Sequence, residues 1–184
     1  MIYRFSVLAF AFLFLVGCSD PISVDSEAPV AEQGRFTPPN PATKNLTIAQ
    51  IVVAQVEGNG EFETLLAALA AADLVDAVSG RSIFTVFAPT DAAFAKLGLN
   101  PHNVGDLDKA ALTNILLYHV VPGRKVASVV LASESLTAAQ GGMLKVDADN
   151  VALIDANGGS AGIIGVDIAA RNGIIHVIDS VVLP

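Results

Sequence analysis

The character of the chain changes near residue 45, and this change limits which part can fold. Five prolines are spread among serine and acidic residues between Ser19 and Thr43. Proline fixes φ and lacks a backbone donor, so we expect this segment to stay extended and unpacked. From Leu46 to Pro184, apolar and amphipathic runs follow one another. The pattern therefore predicts one folded domain over residues 45–184.

Composition supports a well-filled core and argues against some partners. Hydrophobic residues make up 53% of the chain and charged residues 15%, whereas about 25% is the average charged content of a globular domain. A disordered chain shows the opposite balance. The formal net charge is −8. An acidic protein repels phosphate backbones, so nucleic acid is not an expected partner.

The first 18 residues are typical of a segment that directs secretion. Arg4 supplies a positive charge, and an apolar run from Phe5 to Val16 follows it. This run is shorter than the roughly 20 residues that a membrane-spanning helix needs, so it fits the apolar part of a secretion signal. The residues that end it, Leu-Val-Gly-Cys at 15–18, resemble the bacterial lipobox, in which the cysteine is lipidated and becomes the mature N-terminus.

The lipobox resemblance implies a lipoprotein signal peptide over residues 1–17 and a lipidated cysteine with a flexible tether over residues 18–44. The implied partner is the membrane, and the implied location is the cell envelope. Ser19 after the cysteine follows the sorting rule of some Gram-negative bacteria and indicates the outer membrane. Cys18 is the only cysteine, so the domain keeps neither a disulfide nor a catalytic thiol. An ordinary signal peptide with a chance cysteine is the alternative.

Helical periodicity prevails in the first half of the domain. A β-branched and aromatic run at Ile83–Ala88 interrupts it and predicts a buried strand ended by Pro89. Thr90 or Asp91 can cap the short helix that follows. The predicted helices are Thr47–Val56, Glu61–Val78 as one helix or two, a short helix through Phe94 and Leu97, and Asp106–Tyr118.

The last third of the chain is β in character. Glycine-containing turns separate its short apolar or alternating runs, and Asn172-Gly173 lies between the last two. Asn-Gly supplies the positive φ of a tight hairpin, so we expect it to join these strands. The sequence thus predicts an α+β fold with mainly antiparallel strands and a group of N-terminal helices. The predicted strands are Met143–Asp147, Val151–Asp155, Ile163–Ile168 and Ile174–Leu183.

Three segments, in this order and spacing, together resemble the fasciclin domain family and span nearly all of residues 45–184. They are FTVFAPTDAAFAKL from Phe84, LLYHVVPG from Leu116 and NGIIHVIDSVVLP from Asn172. The resemblance implies a compact β-wedge with a cluster of helices, used for adhesion or for binding extracellular ligands.

In matrix members of that family, a Tyr-His segment and an Asp-Ile pair are linked to integrin engagement. The matching positions here are Tyr118 with His119, and Asp167 with Ile168, which makes these four the candidate binding residues. Gly and Val precede Asp167, where the matrix pattern has acidic and proline residues.

Each candidate also has a structural interpretation. His119 ends a predicted helix and fits a core histidine that forms hydrogen bonds through its ring, although a pKa near 6.5 also suits a binding or pH-sensing residue. Tyr118 can bury its ring while its hydroxyl finds a partner. Asp167 is as well explained by a carboxylate that accepts backbone hydrogen bonds near a hairpin. His176 alternates with apolar residues in a strand, so we expect a structural role.

The sequence offers no catalytic residues, no metal site and no cofactor motif. Its three histidines form no His-x-x-x-His pair, and no Gly-x-Ser-x-Gly elbow is present. Asp147-Ala-Asp-Asn150 has oxygens that suit calcium, but the EF-hand glycine is replaced by Ala152 and a turn explains the same residues. We therefore expect a protein without enzymatic activity.

The sequence leaves three functions open. The first is a lipid-anchored, extracytoplasmic adhesion or binding module for a protein or polysaccharide surface ligand. The alternative is a periplasmic carrier of a small molecule or lipid, which needs an apolar pocket of roughly 300 Å³ or more. The third is self-association through an exposed apolar patch.

Overall fold

A computed structural model describes residues 41–184 of the chain. The predicted signal peptide, Cys18 and nearly all of the predicted tether lie outside the described residues. The helices are α1 (Ile48–Asn59), α2 (Glu63–Ala71), α3 (Val75–Ser79), α4 (Asp91–Ala95), α5 (Lys109–Tyr118) and α6 (Ala127–Leu131), with 3₁₀ turns at Pro41–Asn45 and Val104–Asp106. The strands are β1 (Phe84–Pro89), β2 (Val120–Pro122), β3 (Ser135–Thr137), β4 (Met143–Asp147), β5 (Ala152–Ile154), β6 (Ser160–Ala170) and β7 (Gly173–Ile178).

Local capping explains where the helices begin. Thr47 and Gln50 form a reciprocal capping box at the start of α1, which ends at Gly60 in the left-handed conformation. Thr90 caps α4. Asp91 instead reaches back to α2, where its carboxylate accepts hydrogen bonds from the first two backbone amides at 3.2 and 2.7 Å. Capping by Asp91 and Thr90 therefore fixes α2 and α4 next to each other.

The strands form one seven-stranded sheet in the order β2-β1-β7-β6-β5-β4-β3. Within this sheet, β1 and β7 pair in parallel, and all the other neighbours are antiparallel. Every residue of β7 is buried because both faces of the sheet are covered there. The predicted α+β fold with mainly antiparallel strands is confirmed.

Two apolar clusters cover the two faces of the sheet at strands β1 and β7. The helices α1, α2 and α5 pack on one face, together with Val86, Ala88 and Val177. The alternate residues of the same strands, Phe87 and Ile178, join the second cluster with residues of β3, β4 and β5. The period of two along β1 therefore divides its side chains between both clusters.

The last hairpin lies where the sequence predicts it, but for a different reason. Ala170 pairs with Gly173, so the turn is Arg171-Asn172, and neither Asn172 nor Gly173 has a positive φ. The buried Asn172 side chain instead accepts a hydrogen bond from the Ile48 amide at 2.9 Å and donates to the carbonyl of Val78 at 2.7 Å. Asn172 thus links the N-terminal helices to the sheet.

Three elements have no counterpart among the helices and strands predicted from the sequence. They are β2, α6 and β3, each three to five residues long. Strand β6 is also longer than predicted, since it begins at Ser160 and ends at Ala170. Within residues 41–184, no helix is long and apolar enough to cross a membrane.

Candidate functional site

Tyr118 lies at the end of α5 with its ring fully buried. Its hydroxyl donates a hydrogen bond to the carbonyl of Met143 at 2.8 Å. Burial raises the pKa of Tyr118 above its usual value. The ring approaches Gly142 so closely that a Cβ at Gly142 would lie 2.9 Å from it. The tyrosine therefore connects α5 to the start of β4.

His119 is also buried, with 2% of its surface exposed. Its Nδ1 lies 2.8 Å from the Ile115 carbonyl, and its Nε2 accepts a hydrogen bond from the Val182 amide at 3.2 Å. Only a neutral ring with the proton on Nδ1 satisfies both partners. Burial lowers the pKa of His119 to about 4, so the ring is neutral at pH 7. This geometry agrees with the structural interpretation of His119.

Asp167 is the exposed member of the second pair, whereas Ile168 is buried. The register between β6 and β7 shifts on both sides of Gly165, so β6 is bulged here. Asp167 has a φ of 57°, and its carboxylate accepts a hydrogen bond from the Ala127 amide at 2.8 Å. The carboxylate thus holds the first turn of α6, which leaves its other oxygen available to a ligand.

His176 supports this bulge from beneath. Its Nδ1 accepts a hydrogen bond from the Asp167 amide at 3.3 Å, and its Nε2 lies 2.9 Å from the Lys125 carbonyl. The ring stacks on Phe87, with a centroid distance of 5.5 Å. Burial lowers the pKa of His176, so the neutral ring is favoured. The structural role expected for this histidine agrees with these contacts.

The two candidate pairs are connected through the sheet rather than by direct contact. The Phe87 amide donates to the His119 carbonyl at 2.9 Å, and Phe87 stacks on the histidine that holds Asp167. Three of the four candidates are buried in the scaffold. Of the four, Asp167 is the one whose side chain is exposed to solvent. A binding role for these positions stays a prediction.

The two segments that meet at Asp167 carry exposed apolar side chains, and we call these side chains together with Asp167 the bulge surface. The hydrogen bond from Ala127 to Asp167 joins β6 to the start of α6, and Val126 and Val166 each immediately precede one of the bonded residues. Val126 and Val166 are 38% and 48% exposed. The bulge surface comprises Asp167, Ile164, Val166, Val126 and Val129.

Asp155 is a structural residue that the sequence did not single out. Its buried carboxylate accepts hydrogen bonds from the amides of Asn157, Gly159 and Leu183 at 2.9, 2.7 and 3.1 Å. The first two bonds close a turn, and the third fixes the C-terminal segment. The local Asp-x-Asn-Gly-Gly pattern could have revealed the turn, but not the bond to Leu183, because the two residues are 28 positions apart.

Replacement of Asp155 by alanine leaves these three amides without their acceptor. We expect the free energy of unfolding to fall by about 2–3 kcal/mol, because hydrogen bonds to a charged group contribute about 1.5–3 kcal/mol. Urea unfolding followed by circular dichroism measures the change. Asp149→Ala, in an exposed turn, is the matched control and should change stability by less than about 0.5 kcal/mol. Equal effects of the two variants would contradict this role of Asp155.

An apolar cavity of about 60 Å³ lies between α2, α3, α5 and β1. It is lined by Leu69, Leu74, Phe84 and Leu116, among others. Sites for drug-sized ligands have volumes of roughly 300 Å³ or more, so this cavity is too small for a lipid. Across residues 41–184, no three histidine, cysteine or acidic side chains converge to hold a metal ion.

Comparison with known sequences places this domain in a family. The sequence model of the fasciclin domain matches residues 60–184, which is more than half of the chain. The chain belongs to the fasciclin domain family. Helix α1 precedes the matched range, yet its buried residues join the same apolar cluster as the matched helices.

Relatives of this fasciclin chain come from bacteria and animals. Protein sll1483 of Synechocystis sp. is 42% identical over 151 residues, with 74% of each chain covered. The transforming growth factor-beta-induced protein ig-h3 of Sus scrofa is 34% identical over 133 residues, which are 72% of this chain and 19% of that protein. The structure of a domain pair from the insect cell adhesion molecule fasciclin I has a TM-score of 0.61 at 18% identity, covering 77% of this chain and 52% of that one. This last likeness confirms the fold.

Proposed function

We propose that this fasciclin chain is a lipid-anchored adhesion or surface-binding module that acts in the cell envelope and has no catalytic role. The observation that carries the proposal is the contrast between the buried polar side chains, which serve the structure, and the exposed bulge surface. The titratable groups of His119 and His176 are held by backbone partners, so neither presents a reactive group to a substrate.

The bulge surface has the composition of a protein-binding patch. Its exposed aliphatic side chains belong to the same two segments as one carboxylate, and the Ala127 amide of α6 holds that carboxylate in place. Exposed apolar side chains next to polar groups are typical of protein interaction sites. The solved relative with the same fold is named as a cell adhesion molecule, which supports the same class of function here.

A charge placed on the bulge surface tests this proposal. We expect Val166→Glu to reduce cell-to-surface attachment by at least about tenfold, because a buried unpaired charge strongly disfavours an interface. Met143→Glu is the matched control, since Met143 is 61% exposed and belongs to β4. Attachment assays compare both variants at equal surface amounts with a deletion strain. Attachment of the deletion strain at the normal level would contradict an adhesive function.

Lipid anchoring is tested separately by Cys18→Ser. We expect this change to move the protein from the membrane fraction to the soluble fraction, because the thiol is the predicted acylation site. Membrane fractionation and mass spectrometry of the mature N-terminus measure the result. A variant that stays in the membrane fraction would contradict the lipid anchor, whatever the outcome for adhesion.

A further inference from the structure

Exposed basic residues gather at one end of the sheet, where β1 and β7 begin and where β2 and β6 end. Arg171 lies in the turn between β6 and β7. The guanidinium group of Arg124 donates to the carbonyls of Ala170 and Arg171 at 3.1 and 3.4 Å. The Arg171 amide donates to the Leu46 carbonyl at 2.7 Å, two positions after Lys44. Three basic residues therefore belong to segments that touch at this turn.

A fourth basic residue belongs to the loop before β1, which is bonded to the same end. The Asn172 side chain donates to the Gly80 carbonyl at 3.2 Å, and Gly80 immediately precedes Arg81. The Gly123 amide donates to the Ile83 carbonyl at 2.9 Å, which joins this loop to the one that follows β2. All four basic residues are exposed. We call them the basic end: Lys44, Arg81, Arg124 and Arg171.

The charge of the basic end is not neutralised by nearby carboxylates. Within residues 41–184, the ion pairs belong to Lys96 and Lys109, and none involves a residue of the basic end. Two acids lie in adjoining segments: Asp76 in α3, and Asp167, whose carboxylate accepts from the Ala127 amide. Like charges without counterions repel one another, so an anionic partner is favourable here.

The opposite end of the same strands carries the opposite charge. Asp91 follows β1, and its carboxylate accepts a hydrogen bond from the Glu63 amide at 3.2 Å. Burial and, next, the charge of Asp91 raise the pKa of Glu61 above its usual value, so Glu61 also lies near Asp91. Asp179 follows β7 and pairs with Lys96 at 3.9 Å. We call Glu61, Glu63, Asp91 and Asp179 the acidic end. Strands β1 and β7 are parallel and six residues long, so about 20 Å separates the two ends.

The predicted tether joins the domain at the basic end. The 3₁₀ turn Pro41–Asn45 is the first element that the structure describes, and Lys44 lies in its last turn. Residues 19–40 connect this turn to Cys18, the predicted acylation site. A tether that begins at the membrane raises the effective concentration of the basic end there. Acyl chains and a basic patch together are a known combination for binding a membrane.

We propose that the basic end contacts the anionic headgroups of the membrane that holds the lipid anchor, with the acidic end directed away from that membrane. This inference rests on the lipid anchor of the proposed function, and it adds how the domain stands on the membrane. The net charge of −8 is repelled by an anionic surface. Because the two signs are separated between the ends, one orientation is nevertheless favoured over its reverse. The attraction acts within a Debye length of the headgroups, about 10 Å at 0.1 M salt.

Spin labels at the two ends test this orientation in the acylated full chain. Cys18 is blocked by its lipid, so a nitroxide attaches only to an engineered cysteine. Ser82→Cys places the label next to Arg81, and Ala92→Cys places it next to Asp91. Both positions are exposed. The chain is reconstituted into vesicles of phosphatidylcholine alone or mixed with phosphatidylglycerol, each with a trace of a nickel-chelating lipid that relaxes nearby nitroxides.

In the phosphatidylglycerol vesicles, we expect the relaxation of the label at position 82 to exceed that at position 92 by at least about tenfold, because the basic end lies at the headgroups. In phosphatidylcholine alone, the tether permits many orientations, so the ratio should fall below about threefold. The same fall is expected in 1 M salt, where the screening length is about 3 Å.

Charge variants show whether the basic end produces this ratio. Arg171→Glu should reduce the ratio in phosphatidylglycerol vesicles at least about fivefold, because one attraction becomes a repulsion. The Arg171 side chain forms no hydrogen bond within residues 41–184, so the fold should persist. Arg171→Lys keeps the charge and should keep the ratio. Lys145→Glu is the matched control, since it changes the net charge equally at an exposed position in β4.

The outcomes separate the orientation from the anchor. Mass spectrometry of the sample first measures acylation of Cys18, and a chain without the lipid would contradict the anchor and the orientation together. On an acylated chain, equal relaxation of the two labels in phosphatidylglycerol vesicles would overturn the orientation alone. An unchanged ratio in Arg171→Glu would do the same. A ratio that responds to neutralising the acidic residues between 19 and 40, but not to lipid charge, would assign the basic end to the tether instead.

Discussion

Gly173→Ala is expected to unfold the domain or to lower its free energy of unfolding by at least about 4 kcal/mol, which is exceptional for one methyl group. A Cβ at this position would lie 2.0 Å from the Phe84 carbonyl oxygen and 2.9 Å from Ile48 Cδ1. Phe84 is the register partner of Gly173 in the parallel pair of β1 and β7. The oxygen belongs to the backbone, so the clash is relieved only if β1 and β7 separate.

Thermal and urea unfolding measure the effect of Gly173→Ala. Gly58→Ala is the matched control, because it lies in α1 with no atom within 4 Å of the added Cβ. Alanine is favoured over glycine in a helix by about 1 kcal/mol, so the control should be neutral or slightly stabilising. A Gly173→Ala variant as stable as the control would mean that β1 and β7 do not pair as described.

The second large effect is a loss of stability as the pH falls from about 6.5 to 4. His119 has an ordinary pKa of 6.5 in the unfolded chain and a pKa of about 4 in the fold. The unfolded chain binds more protons in this window, so stability is fully present above pH 6.5 and declines below it. The difference of about 2.5 between the two pKa values corresponds to a loss of roughly 3 kcal/mol in the free energy of unfolding. Burial lowers the pKa of His176 as well, which acts in the same direction.

Urea unfolding between pH 4 and 8 measures this dependence. A glutamine at position 119 can donate and accept but does not titrate, so His119→Gln should reduce the slope between pH 4 and 6.5. His102→Gln is the matched control, because His102 lies at the surface, and it should keep the full slope. NMR titration of the wild-type imidazole rings provides a second readout. A His119 ring that titrates near pH 6.5 would contradict the buried neutral state.

Periodicity in the sequence was enough to predict most of the architecture. Helices α1 and α5, the pair of helices α2 and α3, and strands β1 and β4 lie within a few residues of their predicted bounds. Strand β2, helix α6 and strand β3 were missed because segments of three to five residues do not complete enough periods to be distinguished from loops. Helix α6 carries part of the bulge surface, so this part of the candidate binding region was among the least predictable.

The candidate residues show the same limit at the level of side chains. Asn172-Gly173 marks the last hairpin, but the glycine is needed for close approach to Phe84 and the asparagine for contacts with Ile48 and Val78. Such reasons depend on residues that are distant along the chain. A single sequence without structure identifies the position but not the partner, as with Asp155 and Leu183.

The parallel pairing of β1 with β7 has a consequence for the order of folding. Phe84 and Gly173 are neighbours in the sheet although almost half of the chain separates them. Long loops are costly to close, and contacts between distant segments slow folding. Strand β1 therefore lacks one of its two neighbours, β7, until nearly the whole chain has been synthesised. A chain that cannot complete its sheet early remains open for longer, and closure of β1 against β7 is then among the last steps of folding.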